Sequence, residues 1–227
     1  MIRRIFRDIR EKTENMSKRE TAAYVLTYYW YHILAVCSII ALIVLFITHY
    51  TIGNQKPVFT CVLANQEMDS GRDGLIRDTF SEYAGLPARR VVIDSDYNFS
   101  YEGMELSGVN ESSYEKFFFQ WRNKELDALI LSESFYQYCR EMGGSFCDLS
   151  DMDKGDFEIY KDGDMVGAVI LGEDSFAERV TGKKGEKLLL AFPDEGKHEE
   201  SREMFLKYLC DVKAGKVEGV QFSDLIR

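Results

Sequence analysis

The longest unbroken apolar pattern in the chain lies near its start. From Thr21 to Gln55 there is no Asp, Glu, Lys or Arg, and residues 33–47 are almost wholly apolar. A bilayer core about 30 Å thick needs roughly 20 apolar residues at 1.5 Å rise. Aromatic and small residues extend this centre to a full span over 28–50. Tyr24, Tyr28, Tyr29, Trp30 and Tyr31 gather at one end, with Phe46 and Tyr50 at the other. Those are the interfacial positions that suit amphipathic rings. A buried helix of a soluble protein would show the same run, but the amphipathic remainder of the chain offers little to surround it.

Past Pro57 the pattern becomes an alternation of short β-branched runs and helical periods. Strands are expected at 58–63, 90–93, 126–131, 146–149, 157–160, 165–171 and 187–192. The last two members of a hairpin, 157–160 and 165–171, flank Lys161-Asp-Gly-Asp164, a strong turn signal. Between the strands lie helical periods. One is opened by Ser70 with Asp73 and stopped at Gly85-Leu-Pro87; another is opened by the Ser112-Ser-Tyr-Glu115 box, with Tyr114, Phe117, Phe118 and Trp121 on one face. A third is capped by Ser132 or Ser134, with Phe135, Tyr138, Cys139 and Met142 inward. A fourth covers about 195–212 and packs Met204, Phe205, Leu206, Tyr208, Leu209 and Val212. Residues 94–109 read as a loop or irregular extended pair, and the segment after 212 as a helical or irregular tail. Strand, helix, strand, helix in this order gives an α/β domain of three layers with a mostly parallel sheet. The expected organisation is a basic tail over 1–27, a transmembrane helix over 28–50, a linker over 51–56 and an α/β domain over 57–227.

Charge adds an orientation. Residues 1–20 carry seven bases against four acids, and only Lys56 lies close on the other side of the span. The positive-inside bias puts the amino terminus in the cytoplasm and the domain outside, with the apolar run as an uncleaved signal anchor in the cell membrane. The net charge of −10 leaves the domain with 21 bases and 34 acids, a poor match to nucleic acid. Of five cysteines, Cys37 lies in the span and none forms a C-x-x-C, so no metal site is expected. Cys61 and Cys210 suit small buried positions, and a Cys139–Cys147 bridge is open.

Catalytic signatures are absent: no G-x-S-x-G, H-E-x-x-H, G-x-G-x-x-G or phosphate-cradling glycine loop occurs. His32 and His49 belong to the membrane boundary, and His198 reads as a solvated residue of the last long helix. The chain is therefore expected to be non-enzymatic and without a cofactor, a carboxylate-only envelope hydrolase being the remaining enzymatic option. In open α/β sheets ligands sit at the carboxyl ends of strands. Those ends supply Asn65, Gln66 and Glu67, then Asp94 to Asp96, then Ser132 and Glu133, then Pro193 and Asp194. Asn65, Glu67, Ser132 and Glu133 are thus candidate ligand-binding residues, with Trp121 as a stacking platform. Ordinary loop polarity for the first group, and the core side of a helix for Trp121, are the competing readings. Asn98-Phe-Ser100 and Asn110-Glu-Ser112 fit the glycosylation pattern and are read as chance.

Residues 124–151, with the strand 126–131, a short helix and Asp148-Leu-Ser150, resemble in rhythm the strand that ends the first lobe of type II periplasmic solute-binding proteins. Gly167-Ala-Val-Ile-Leu171 and the stretch from Phe192-Pro-Asp to Tyr208-Leu209 are similar to that family's later elements. Glu14 to Ile33 looks like the leader of small single-pass membrane proteins of Gram-positive bacteria. The resemblance implies an abbreviated, single-lobe, periplasmic-binding-like domain serving as a sensor or transporter accessory. Its partners would be the lipid bilayer, a neighbouring membrane protein such as a transporter, and a small solute or peptide. The alternative is a structural or interaction protein whose sheet crevice is closed. The family has two lobes, and 151–167 is too short to hold the second, so its binding residues do not transfer one by one.

Overall fold

A computed structural model describes residues 7, 10–14, 16–50, 55–101, 111–182, 184–194 and 196–226. Arg3, Arg4, linker residues 51–54, the loop 102–109, Asn110, the expected helix start at 195 and Arg227 lie outside the described residues. The chain forms two units, one up to Gln55 and one from Lys56 onward.

In the first unit, helix α1 (Lys18–Tyr28) opens with a capping box. The Glu20 amide donates to Ser17 Oγ at 3.4 Å, and the Ser17 amide to Glu20 Oε2 at 2.9 Å. The helix breaks at Tyr29 and restarts as α2 (Trp30–Thr48). This helix has 19 residues, a mean hydropathy of 2.5 over its most apolar window, and no buried residue in that window. At 1.5 Å per residue it is about 28 Å long, so it is long and apolar enough to cross a membrane.

The second unit is a six-stranded sheet between helices. Its strands are β1 (Phe59–Ala64), β2 (Val91–Tyr97), β3 (Ala128–Ser132), β4 (Glu158–Asp162), β5 (Met165–Glu173) and β6 (Lys187–Ala191), in the spatial order β2-β1-β3-β6-β5-β4. The helices are α3 (Ser70–Ala84), α4 (Glu111–Arg122), α5 (Glu133–Glu141), α6 (Ser175–Thr181), α7 (Glu199–Lys213) and α8 (Phe222–Leu225). Because side chains alternate along a strand, each strand feeds two cores. Phe59, Cys61, Leu63, Ile130 and Leu190 meet α3 and α7 through Phe80 and Phe205. Val62, Leu129, Leu131 and Leu189 meet α4 and α5 through Phe117, Phe135 and Tyr136. This gives the three layers.

The sheet is mixed, which corrects the expectation of a mostly parallel one. β1 pairs in parallel with β2 and β3, but β3–β6, β6–β5 and β5–β4 are antiparallel. The reason is that the connection from β5 to β6 closes on itself: the Asp174 amide donates to the Glu186 carbonyl at 2.7 Å, so α6 returns the chain to one end of the sheet instead of crossing it. The chain therefore re-enters the sheet at the end where it left, antiparallel to β5. The hairpin over β4 and β5 turns at Gly163 and Asp164, with Gly163 at φ 64°.

Several local expectations shift. Asp69, not Ser70, caps α3, accepting from the amides of Gly71 and Arg72. Asp73 instead turns to β2, accepting from the Ser95 amide at 3.0 Å and from Ser95 Oγ at 2.7 Å. α4 starts at Glu111, ahead of the serine pair expected to cap it. Ser132 caps α5, whose inward residues are Phe135, Tyr136 and Cys139, while Met142 is exposed. The segment 146–149 makes one bridge, Phe146 to Pro193, rather than a strand. Cys139 and Cys147 are both free; Cys139 packs in the core under α5 and Cys147 against the core on the other face.

Candidate functional site

β1 has β2 on one side and β3 on the other, and the helices leading to those two neighbours, α3 and α4, lie on opposite faces. Such a divergence opens a crevice beyond the carboxyl ends of the strands. Asn65, Glu67, Ser132 and Glu133 all fall at this end, with Asp174 after β5 and Glu186 before β6.

The crevice is occupied by the protein itself. Asn65, at φ 53°, is fully buried, and its Oδ1 accepts from the Phe99 amide at 2.9 Å. Gln66 Nε2 donates to Asp174 Oδ2 at 2.7 Å, while Asp174 Oδ1 caps α6 by accepting from the Ala177 amide at 2.8 Å. Ser132 Oγ takes the Phe135 amide and lies 3.2 Å from Tyr101 Oη, which is 2.7 Å from Ser134 Oγ. The Ser134 amide donates to Glu186 Oε1 at 2.6 Å. Burial pushes the Asp174 carboxyl above the usual range, against the lowering effect of the Ala177 amide and Gln66. Glu67 stays outside, paired with Arg179 at 2.7 Å on the rim of a shallow 430 Å³ depression. Glu133 is half-buried at the start of α5. Two groups are left over: Asn65 Nδ2 and, just past the end of β2, Asn98 Oδ1 are buried with no hydrogen-bond partner.

Trp121 lies at the opposite end. α4 runs back along the sheet, so its last turn reaches the amino ends of the strands. There Trp121 packs edge-on against Phe117 and Phe146 and lines a 630 Å³ groove with Tyr114, Phe118, Met142 and Gly144. It is not brought together with the other four.

The amino end also holds a second cleft, of about 330 Å³, lined by Lys56, Pro57, Thr60, Gln120, Lys124, Glu125, Lys197 and His198. Beneath it Asp127, with its side chain 1% exposed, accepts from the Thr60 amide at 2.8 Å and stands 3.0 Å from His198 Nδ1 through both oxygens. Burial raises the Asp127 carboxyl, and His198 and the Thr60 amide lower it in opposition. His198 is thus anchored rather than simply solvated. Sequence reading missed this pair and the Asp174 network. A carboxylate inside the apolar run Leu126-Asp-Ala-Leu129 was one signal; Asp174 four residues before Glu178, with Gly182 closing the turn, was the other.

A histidine held by a carboxylate can position a proton. Among the described residues, Thr60 is the one hydroxyl in the cleft lining, and it is 5% exposed. Among the described residues no group of His, Cys, Asp and Glu has the makings of a metal site. Comparison with protein-family models, curated proteins and solved structures finds no match for this chain. Function must be argued from the geometry.

Proposed function

We propose that this chain is a single-pass membrane protein whose α/β domain, held on the outer face of the cell, works without catalysis by binding a neighbouring membrane or envelope protein. The observation that carries the reading is the closed crevice. Where open α/β sheets take ligands, the donors and acceptors of Gln66, Ser132, Asp174 and Glu186 are spent on one another and on backbone amides. Opening that end would leave these groups to be satisfied again by the ligand, at a cost of about 1–3 kcal/mol for each group left unpaired. The 19-residue apolar helix supports the anchor, and the seven bases before it support the outward domain.

A second reading, capture of a small polar solute by a periplasmic-binding-like lobe, rests on the orphan Asn65 Nδ2. One experiment separates the two. The full chain in maltoside micelles is melted against a panel of sugars, amino acids and short peptides, and photo-crosslinkers at exposed Phe119 and Met142 are irradiated in membranes. The interaction reading expects no thermal shift and a discrete crosslinked adduct. A saturable shift of several degrees with any solute establishes the second reading instead. Protease added to wall-stripped cells should remove a tag placed after Arg227 and spare one at the amino terminus.

A further inference from the structure

The amino-end cleft reverses the charge of its surroundings. In a domain with 34 acids against 21 bases, it gathers Lys56, Lys124, Lys197 and His198 around one concave surface. Among the described residues, the one carboxylate in the lining is Glu125, at the exposed rim. Asp127 is beneath the cleft and already committed to His198 and the Thr60 amide. Glu199 and Glu200 belong to the first turn of α7 and are not part of the lining.

Two details show that the cleft is built rather than merely charged. First, His198 stands at the N-cap of α7, yet its side chain caps nothing there. The ring is turned to Asp127 instead, which fixes Nδ1 inward and leaves Nε2 on the far side of the ring. Second, Lys124 has φ 60°, one of two non-glycine residues in the left-handed region among the described residues. It follows α4 in a Schellman closure, with the Lys124 amide on Trp121 O and the Glu125 amide on Gln120 O, both at 2.9 Å. Glycine or asparagine suits that position, because a Cβ is strained there. A lysine is held at this point, beside the cleft, where local conformation argues against one.

We propose that this cleft binds a phosphate-type oxyanion, with Lys56, Lys124 and Lys197 supplying charge and His198 a directional ring nitrogen. Lysine binds phosphate as a flexible point charge, so three of them around an open cleft suit a tetrahedral anion better than a planar carboxylate that a bidentate arginine would read. The phosphate has two possible sources, a free phosphate compound or a lipid headgroup. Lys56 follows the apolar helix by only eight residues in sequence, which makes the headgroup worth testing. This inference stands apart from the protein-partner reading, which does not need it.

The test uses the full chain in phosphate-free maltoside micelles, melted against inorganic phosphate with chloride at matched ionic strength, and against short-chain phosphatidylglycerol with phosphatidylcholine as its control. Phosphate should raise Tm saturably, and Lys124→Gly combined with Lys197→Gln should weaken the apparent affinity at least tenfold. Lys161→Gln, an exposed lysine of β4, should leave it unchanged. Lys124→Gly alone should lower affinity while keeping Tm without ligand or raising it by roughly 1–3 °C. That split shows the residue is kept for binding rather than folding. Saturation by phosphatidylglycerol at lower concentration than by phosphate assigns the site to lipid, and the reverse order to a free phosphate compound. No shift beyond the chloride and phosphatidylcholine controls, or a shift that survives the double substitution, overturns the proposal.

Discussion

The two ends of this sheet are built on opposite plans. At the carboxyl end, buried Gln66, Ser132 and Asp174 bond one another or the backbone, Asn65 Oδ1 takes the Phe99 amide, and the crevice they line is filled. At the amino end one buried carboxylate, Asp127, supports one histidine under an open, lysine-lined cleft. The same chemical inventory gives a network whose carboxylates, amide and hydroxyl are bonded inside the protein at one end, and a cleft lined by three lysines and a histidine at the other. Position at a strand end does not by itself make a binding site. What matters is whether the polar groups there are already spent.

Substitutions at the two ends should separate these plans. The largest effect is expected from Asp174→Ala, which removes the cap of α6 and the partner of Gln66 together. A loss of about 2–4 kcal/mol in urea unfolding is expected, with Asn recovering part of it. A loss below about 0.5 kcal/mol would mean that the carboxyl end is not held shut as described. At the other end, Asp127→Asn keeps an acceptor for the Thr60 amide and loses the charge beside His198. About 1–2 kcal/mol is expected there, since His198 is one-third exposed and water can replace part of the contact.

The pH dependence sharpens the contrast. Burial raises the carboxyls of Asp73, Asp127 and Asp174. Between the unfolded value, about 3.9, and each raised value, the folded state binds more protons than the unfolded one. These three groups therefore make stability fall as pH rises through that window, and the loss is complete above it. Exposed Asp69 and Asp148 are lowered by hydrogen bonds from backbone amides and, for Asp148, first from the Ser150 hydroxyl, and they act in the opposite sense below the ordinary range. Asp174→Asn should flatten the decline above pH 4 in melts recorded across pH; an unchanged slope would remove Asp174 from the titration. The smallest effect belongs to Glu67→Gln. Its pair with Arg179 is more than half exposed on both sides, so a change within about 0.5 kcal/mol is expected in the same urea experiment.

Much of this fold was legible. Each strand of the sheet was read at least in part, but β2 runs on through Asp94–Tyr97, which read as a loop, and β4 is a polar edge strand marked by its turn. Gly85 and the Lys161–Asp164 turn marked real boundaries. The direction of β6 was not legible, because it depends on whether the connection from β5 crosses the sheet or closes on itself, and α6 carries too short a pattern to show helical periodicity. For the candidate sites, strand-end position found Asn65, Glu67, Ser132 and Glu133, but it could not tell that Asn65 and Ser132 are consumed internally. Trp121 was read from its helical face alone, which does not say at which end of the sheet a helix delivers it. Asp127 and His198 are 71 residues apart, and nothing local in the sequence joins them.

The central claim is that the carboxyl end is closed by a lasting hydrogen-bond network. Hydrogen–deuterium exchange of the full chain in micelles tests it directly, through the amides of Phe99, Ser134 and Ala177, whose acceptors are the side chains of Asn65, Glu186 and Asp174. The account predicts that all three exchange as slowly as the amides of β1 and β3. Exchange within seconds at these three, while the strands stay protected, would contradict it and show an end that stands open.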